Sequence, residues 1–212
     1  MNHTDSILPA LERRWYEFAK SIKIDGPSSL WEAIGTMQSF AERQYHNIEH
    51  VHDCLQKLDA WPQIPEGDVR DSIELAIWFH DIICESTRAD NEISSAALLA
   101  HFLDDHPLKH EAVGLIMATE HKEARGIRSE GIICDIDLSI LGAPAPEYQR
   151  YADSIRQEYS WVESTIYAEK RCSVLLKFLN RENIYYTEHA RSHWNNQARI
   201  NLKNEIDSLE SL

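Results

Sequence analysis

Glycine and proline are scarce in this chain, seven of each in 212 residues, so little interrupts long helices. Sustained apolar–polar alternation is missing too, which removes the usual mark of a half-buried strand. No run approaches the ~18–20 consecutive apolar residues of a membrane-spanning helix. The first residues, Met1-Asn2-His3-Thr4-Asp5, lack the basic and apolar stretches of a secretory leader. Four cysteines, Cys54, Cys84, Cys134 and Cys172, lie far apart with no Cys-x-x-Cys. They are expected as reduced thiols in a cytoplasmic protein. Basic residues are also few: 21 Lys and Arg stand against 35 Asp and Glu, for a net charge of −14. That balance argues against a duplex nucleic-acid partner, which needs a basic face. No membrane partner is expected either. A small phosphorylated ligand must find local cations in an acidic field, and Arg43, Lys122, Arg125 and Arg128 are the candidates.

What is present is helical periodicity. The spacing of Leu8, Leu11, Trp15, Phe18, Ala19 and Ile22 predicts a first helix over roughly 7–22. A capping box, Ser29-Leu30-Trp31-Glu32, predicts the start of a second that runs toward Gln38. Further helices are predicted over about 47–60, 68–83, 91–103, 108–119, 146–161, 163–179 and 187–209. Residues 132–141 form a short apolar segment with the look of a strand that has no partner. The expected fold class is therefore all-α. With no internal repeat and no linker, a single helical domain over 1–212 is expected, with a chemical core of about 40–140 and C-terminal helices over about 146–211. The last helix, with Trp194, Ile200, Leu202, Ile206 and Leu209, offers either a bundle-packing face or a homodimer face.

Chemistry concentrates at three places. Tyr45-His46-Asn47-Ile48-Glu49-His50 brings two histidines four residues apart, about 40° apart on one helical face. His80-Asp81 closes the apolar run Ile73–Phe79. Asp135-Ile136-Asp137 lies in the apolar segment, where carboxylates are costly to bury without a partner. Each feature alone is common, since a histidine on a helix is more often a satisfied core residue than a ligand. Jointly they make a nitrogen and oxygen set suited to one divalent ion such as Mn, Fe, Ni, Co or Zn. His52 points away from His50 and reads as a surface residue. Glu92 opens the predicted helix at 91, where an acid either works in a site or answers the helix dipole. His121 follows Ala118-Thr119-Glu120, with contact to a phosphate oxygen, to a second ion or to solvent as its open roles.

These motifs resemble the HD superfamily of metal-dependent phosphohydrolases. More narrowly, the chain is similar to a group of small bacterial proteins predicted to be such enzymes. The likeness rests on Arg43 to His50 (Arg-x-Tyr-His-Asn-x-x-His), Trp78-Phe79-His80-Asp81, Asp90 to Ala96 (Asp-Asn-Glu-x-x-Ser-Ala) and Asp135 to Leu138. It continues through Arg156–Tyr159 and Ala198–Leu202, and so spans nearly the whole chain. The HD-type cyclic-nucleotide phosphodiesterases share the Tyr-His-Asn-x-x-His and Asp-Leu-Ser motifs. The resemblance implies an HD-domain helical bundle like theirs, with one divalent ion (Mn, Fe, Ni, Co, Zn or Mg) held by His50, His80, Asp81 and Asp137. It implies His46 as general acid. Asp81 and Glu92 are expected to activate or orient water, and Arg43, Asn47, His121 and Lys122 to contact substrate. The phosphodiesterases carry another histidine three residues after His-Asp. Cys84 stands there in this chain, which favours one metal over two.

The activity expected from the resemblance is hydrolysis of a phosphomonoester or phosphodiester, with a nucleotide as the expected substrate, by attack of metal-bound water. Two alternatives remain open: an HD-type di-iron oxygenase drawing extra ligands from His101, His106, His110 and His121, and a non-catalytic nucleotide-binding module. Helical geometry turns His101 about 180° from Glu92. Tyr159, Arg156, Lys170 and Arg171 are further candidates to line a pocket.

Overall fold

A computed structural model describes residues 3–62, 64, 67–122 and 128–211, with the side chains of 3–5 excepted. Arg125, one of the candidate cations, lies outside the described residues, as do parts of the connectors at 63–66 and 123–127. The described residues contain helices and no strand, so the molecule is all-α. The helices are α1 (His3–Ser21), α2 (Pro27–Gln38), α3 (Ile48–Asp59), α4 (Asp68–Phe79), α5 (Asn91–Leu103), α6 (Lys109–Ala118), α7 (Arg128–Asp137), α8 (Ala145–Glu158), α9 (Ser164–Leu179) and α10 (Glu188–Glu210). A short 3₁₀ helix, Leu138–Gly142, follows α7. The elements group into two compact units, Met1–Glu123 and Ala124–Leu212.

In the first unit α4 is the central rod, with Ser72 through Phe79 all buried. Such a helix must be covered all round. Trp78 meets Trp15 of α1 edge-on at 5.5 Å between ring centroids and Trp31 of α2 at 6.3 Å. Trp15 also contacts Phe79 at 5.9 Å, and its indole N–H donates to the carbonyl of Pro27. One acid in the rod, Glu74, has its charge met by Arg14 at 2.8 Å, and Arg14 also bonds Asp59 of α3. The pairing ties three helices together without leaving a buried charge alone.

The start of α2 differs from expectation. Ser29 and Glu32 lie inside the helix, which begins two residues earlier at Pro27. Gly26 takes a left-handed φ of 61°, accessible to a residue without Cβ, and the fixed φ of proline suits the first helical position. The capping box is pre-empted by the Gly-Pro pair.

In the second unit the apolar segment predicted near 132–141 is helical, divided between α7 and the 3₁₀ turn. It is covered by α10. A Cβ at Gly142 would lie 2.5 Å from Trp194 Cβ, so only glycine allows this approach. Asn201 of α10 donates to the carbonyls of Leu141 and Ala143 at 2.9 and 2.8 Å. Asp135 is fully buried and accepts from Tyr186 N, Thr187 N and Thr187 Oγ1, all at 2.7 Å. Its carboxylate thus receives the donors at the start of α10, where anions are favourable. Burial still pushes its pKa upward, against the pull of those bonds.

Candidate metal centre

The turn after α4 is where the first unit gathers its chemistry. Helix α4 ends at Phe79, His80 is its C-cap, and the chain turns through Asp81, Ile82 and Ile83. This ends the helix earlier than predicted and places His80 and Asp81 in the turn that follows it. His80 is 2% exposed and His50, on the inner face of α3, is 4% exposed. Their Nε2 atoms are 3.1 Å apart. Asp81 Oδ2 lies 3.2 Å from His80 Nε2 and 3.8 Å from His50 Nε2. A cation equidistant from these three atoms would be about 2 Å from each, matching the ~2.0–2.2 Å of zinc–nitrogen and zinc–oxygen bonds.

The tautomer agrees with that fit. His80 Nδ1 is 2.9 Å from the carbonyl oxygen of Ile77, which can only accept, so Nδ1 carries the proton. The lone pair is then on Nε2, facing His50 and Asp81. A ligating imidazole is commonly oriented by this kind of main-chain bond. Cys54, one turn beyond His50, brings Sγ to 3.7 Å from His50 Nε2. Sequence reasoning missed it, because a lone cysteine on an apolar helix face reads as core.

His46 lies before α3 rather than on it, since Asn47 is the N-cap. Its ring nevertheless meets that of His50 edge-on at 6.1 Å, and Tyr45 packs on both, 5.1 and 4.9 Å away. Asn47 accepts from Glu49 N at 2.9 Å and donates to the carbonyls of Arg43 and Gln44. Its side chain is engaged as a cap, not turned toward a ligand. Arg43, expected at the substrate, is 7% exposed. Its guanidinium donates to the carbonyls of Asp81 and Ile82 at 2.6 and 2.9 Å.

Glu92 occupies the first turn of α5, as predicted. Burial raises its pKa foremost, and the carboxylates of Asp81 and Glu120 push the same way, while its own backbone N–H and His121 oppose. Glu92, Asp81, Glu120 and His121 therefore share one electrostatic neighbourhood. His121 adopts a left-handed φ of 55°, unusual for a residue with Cβ. Glu120 was not singled out by the sequence, where one acid in a charged connector carries no signal. Lys122 is exposed and pairs with Glu120.

Asp137 is the last residue of α7, in the second unit, and is half-buried. Arg171 is bonded to Glu205 at 2.7 Å, and Arg156 lies 4.6 Å over the Tyr167 ring while donating to the carbonyl of Tyr159. These arginines are engaged within the second unit, and Lys170 is exposed. A groove of about 1240 Å³ lies between α8, α9 and α10, and no residue expected to bind metal or catalyse lines it. Comparison with family models, with curated proteins and with solved structures returned no match.

Proposed function

We propose that the chain is a metal-dependent phosphohydrolase acting on a small phosphorylated molecule, a nucleotide being the expected class. The observation that carries this reading is the trio His50, His80 and Asp81, whose facing atoms fit one divalent ion. The sequence resemblance assigns the fourth ligand to Asp137. When bound, the ion supplies a hydroxide-like nucleophile near neutral pH and withdraws charge from a phosphoryl oxygen.

The protein's own groups divide the remaining work. Glu92 has a carboxyl raised by burial and by neighbouring acids. It accepts or orients the proton of the attacking water, a task helped by a pKa nearer the working pH. His46, beside His50 but outside the trio, donates a proton to the leaving oxygen. The sequence resemblance assigns substrate contact to His121 and Lys122.

An oxygenase would need two further histidines as ligands. His101 and His110 are exposed, and His106 engages both ring nitrogens, with Ile22 O at 2.7 Å and Leu108 N at 3.2 Å. Of the four candidates this leaves His121, one histidine where two are needed, which favours hydrolysis. The test is metal analysis of the purified chain, then assays with nitrophenyl phosphates, cyclic nucleotides and nucleotides, with Mn²⁺, Co²⁺ or Zn²⁺ restored after chelation. Metal-dependent turnover that disappears in His80→Ala supports hydrolysis. Tight nucleotide binding without turnover would identify a binding module instead.

A further inference from the structure

The turn that carries His80 and Asp81 is held from outside by three side chains. Ser95 Oγ accepts from Ile83 N at 3.0 Å and donates to Ile83 O at 3.1 Å. Asn91 accepts from Glu85 N at 3.1 Å and donates to Glu85 O at 3.0 Å. Both come from α5 and hold the far end of the turn. The near end has Arg43, whose Nη1 donates to Asp81 O at 2.6 Å and whose Nη2 donates to Ile82 O at 2.9 Å. Nη1 also reaches His46 O at 3.4 Å, on the strand of chain leading into α3. Asn47 returns a bond to Arg43 O at 3.3 Å, which closes the loop on itself.

We propose that Arg43 is a positioning residue: its guanidinium locks the His80–Asp81 turn to the His46 segment, so that His50, His80 and Asp81 face one another before any ligand arrives. This rests on reading that trio as a metal site. The chemistry of the group suits the role. A helix end leaves carbonyls without intrahelical donors. The planar guanidinium fork can serve two or three of them at fixed angles, whereas a lysine ammonium is a single point on a flexible stem. At 7% exposure Arg43 is closed to a solvent-borne phosphate, which separates this role from substrate contact. Its location within the Arg-x-Tyr-His-Asn-x-x-His run follows, since the same short loop must deliver both the histidines and the fork that aligns them with the turn.

Hydrogen exchange read by mass spectrometry on the metal-free protein tests the lock itself. In Arg43→Lys, peptides covering 44–47 and 80–85 should exchange about tenfold faster, with α1 and the second unit unchanged. Titration of the metal-free protein with Mn²⁺ or Zn²⁺ tests the consequence. The dissociation constant should rise about 10- to 100-fold, as when groups that orient metal ligands are lost. Arg43→Gln takes the place of the lysine variant if that one fails to fold. Added ethylguanidinium should restore affinity to Arg43→Ala. Unchanged exchange at 80–85 overturns the proposal even if affinity falls, because Arg43 would then act on the ligand directly. Faster exchange with unchanged affinity overturns it as well. Wild-type protein that takes up no metal sinks both this proposal and the reading it rests on. Normal wild-type uptake with an indifferent Arg43→Lys sinks the lock alone.

Discussion

Two aspartates two residues apart, Asp135 and Asp137, show how identical side chains part company by environment. Asp135 is fully buried against three donors at the start of α10, while Asp137 is half-buried at the end of α7. Asp135→Ala should lower stability by ~2–4 kcal/mol, since buried N–H and O–H groups lose their acceptor. Its metal affinity should stay at the wild-type level, and denaturant melts beside metal titrations check both halves. Asp137→Ala should do the reverse. His46 offers a different contrast, because a general acid matters most when the leaving group is poor. His46→Ala should keep its metal and slow an alkyl phosphate ester roughly 100-fold or more, while a nitrophenyl ester is affected far less. Equal losses on both substrates would remove the proton-donor role. The residue scale is also where sequence reading was weakest. Arg43 and Asn47 were expected at the substrate from the family resemblance. Their partners are main-chain carbonyls and amides, and carbonyls such as those of Asp81 and Ile82 leave no trace in a sequence.

At the scale of elements the periodic signal was strong. Helix α5 spans Asn91–Leu103 as predicted, and α3, α6, α8, α9 and α10 agree within a few residues at their ends. Termini are harder because caps compete. Gly26-Pro27 overrode the Ser29 capping box, and α4 stops at Phe79 because its next residues are drawn off to Arg43 and Ser95. The apolar run at 132–141 was ambiguous until its cover, α10, was known. Helix α9 carries an unusual cap: Glu163 accepts from Thr165 N and Ile166 N at 2.9 and 3.1 Å. Those backbone bonds hold its carboxyl below the usual glutamate range. A depressed carboxyl stabilises above the unfolded-state value, and its contribution is lost as pH falls through the folded value. The melting temperature of the wild type should therefore exceed that of Glu163→Ala near neutrality. The gap should close as pH drops below the ordinary carboxyl range, as a series of thermal melts would record.

At the scale of the whole molecule the net charge of −14 sets the terms on which an anionic substrate arrives. Like charge slows encounter, and salt screens that repulsion over about 10 Å at 0.1 M. For a phosphate ester kcat/KM should rise between low and moderate ionic strength, the reverse of an electrostatically steered enzyme. A flat or falling profile would mean that local cations outweigh the global field. The all-α class was legible in the scarcity of glycine and proline and in the helical spacing of apolar residues. The division into two compact units was not, because no composition shift marks residues 123–124. The buried Trp15–Trp78 pair provides a way to follow that division. Both indoles are 0% exposed in the first unit, whereas Trp161 of the second is 61% exposed. Iodide will therefore quench Trp161 of the second unit and spare Trp15 and Trp78 of the first, once the half-buried Trp31 and Trp194 are replaced by Phe. Fluorescence with and without iodide during denaturation can then report whether the halves melt together or one after the other.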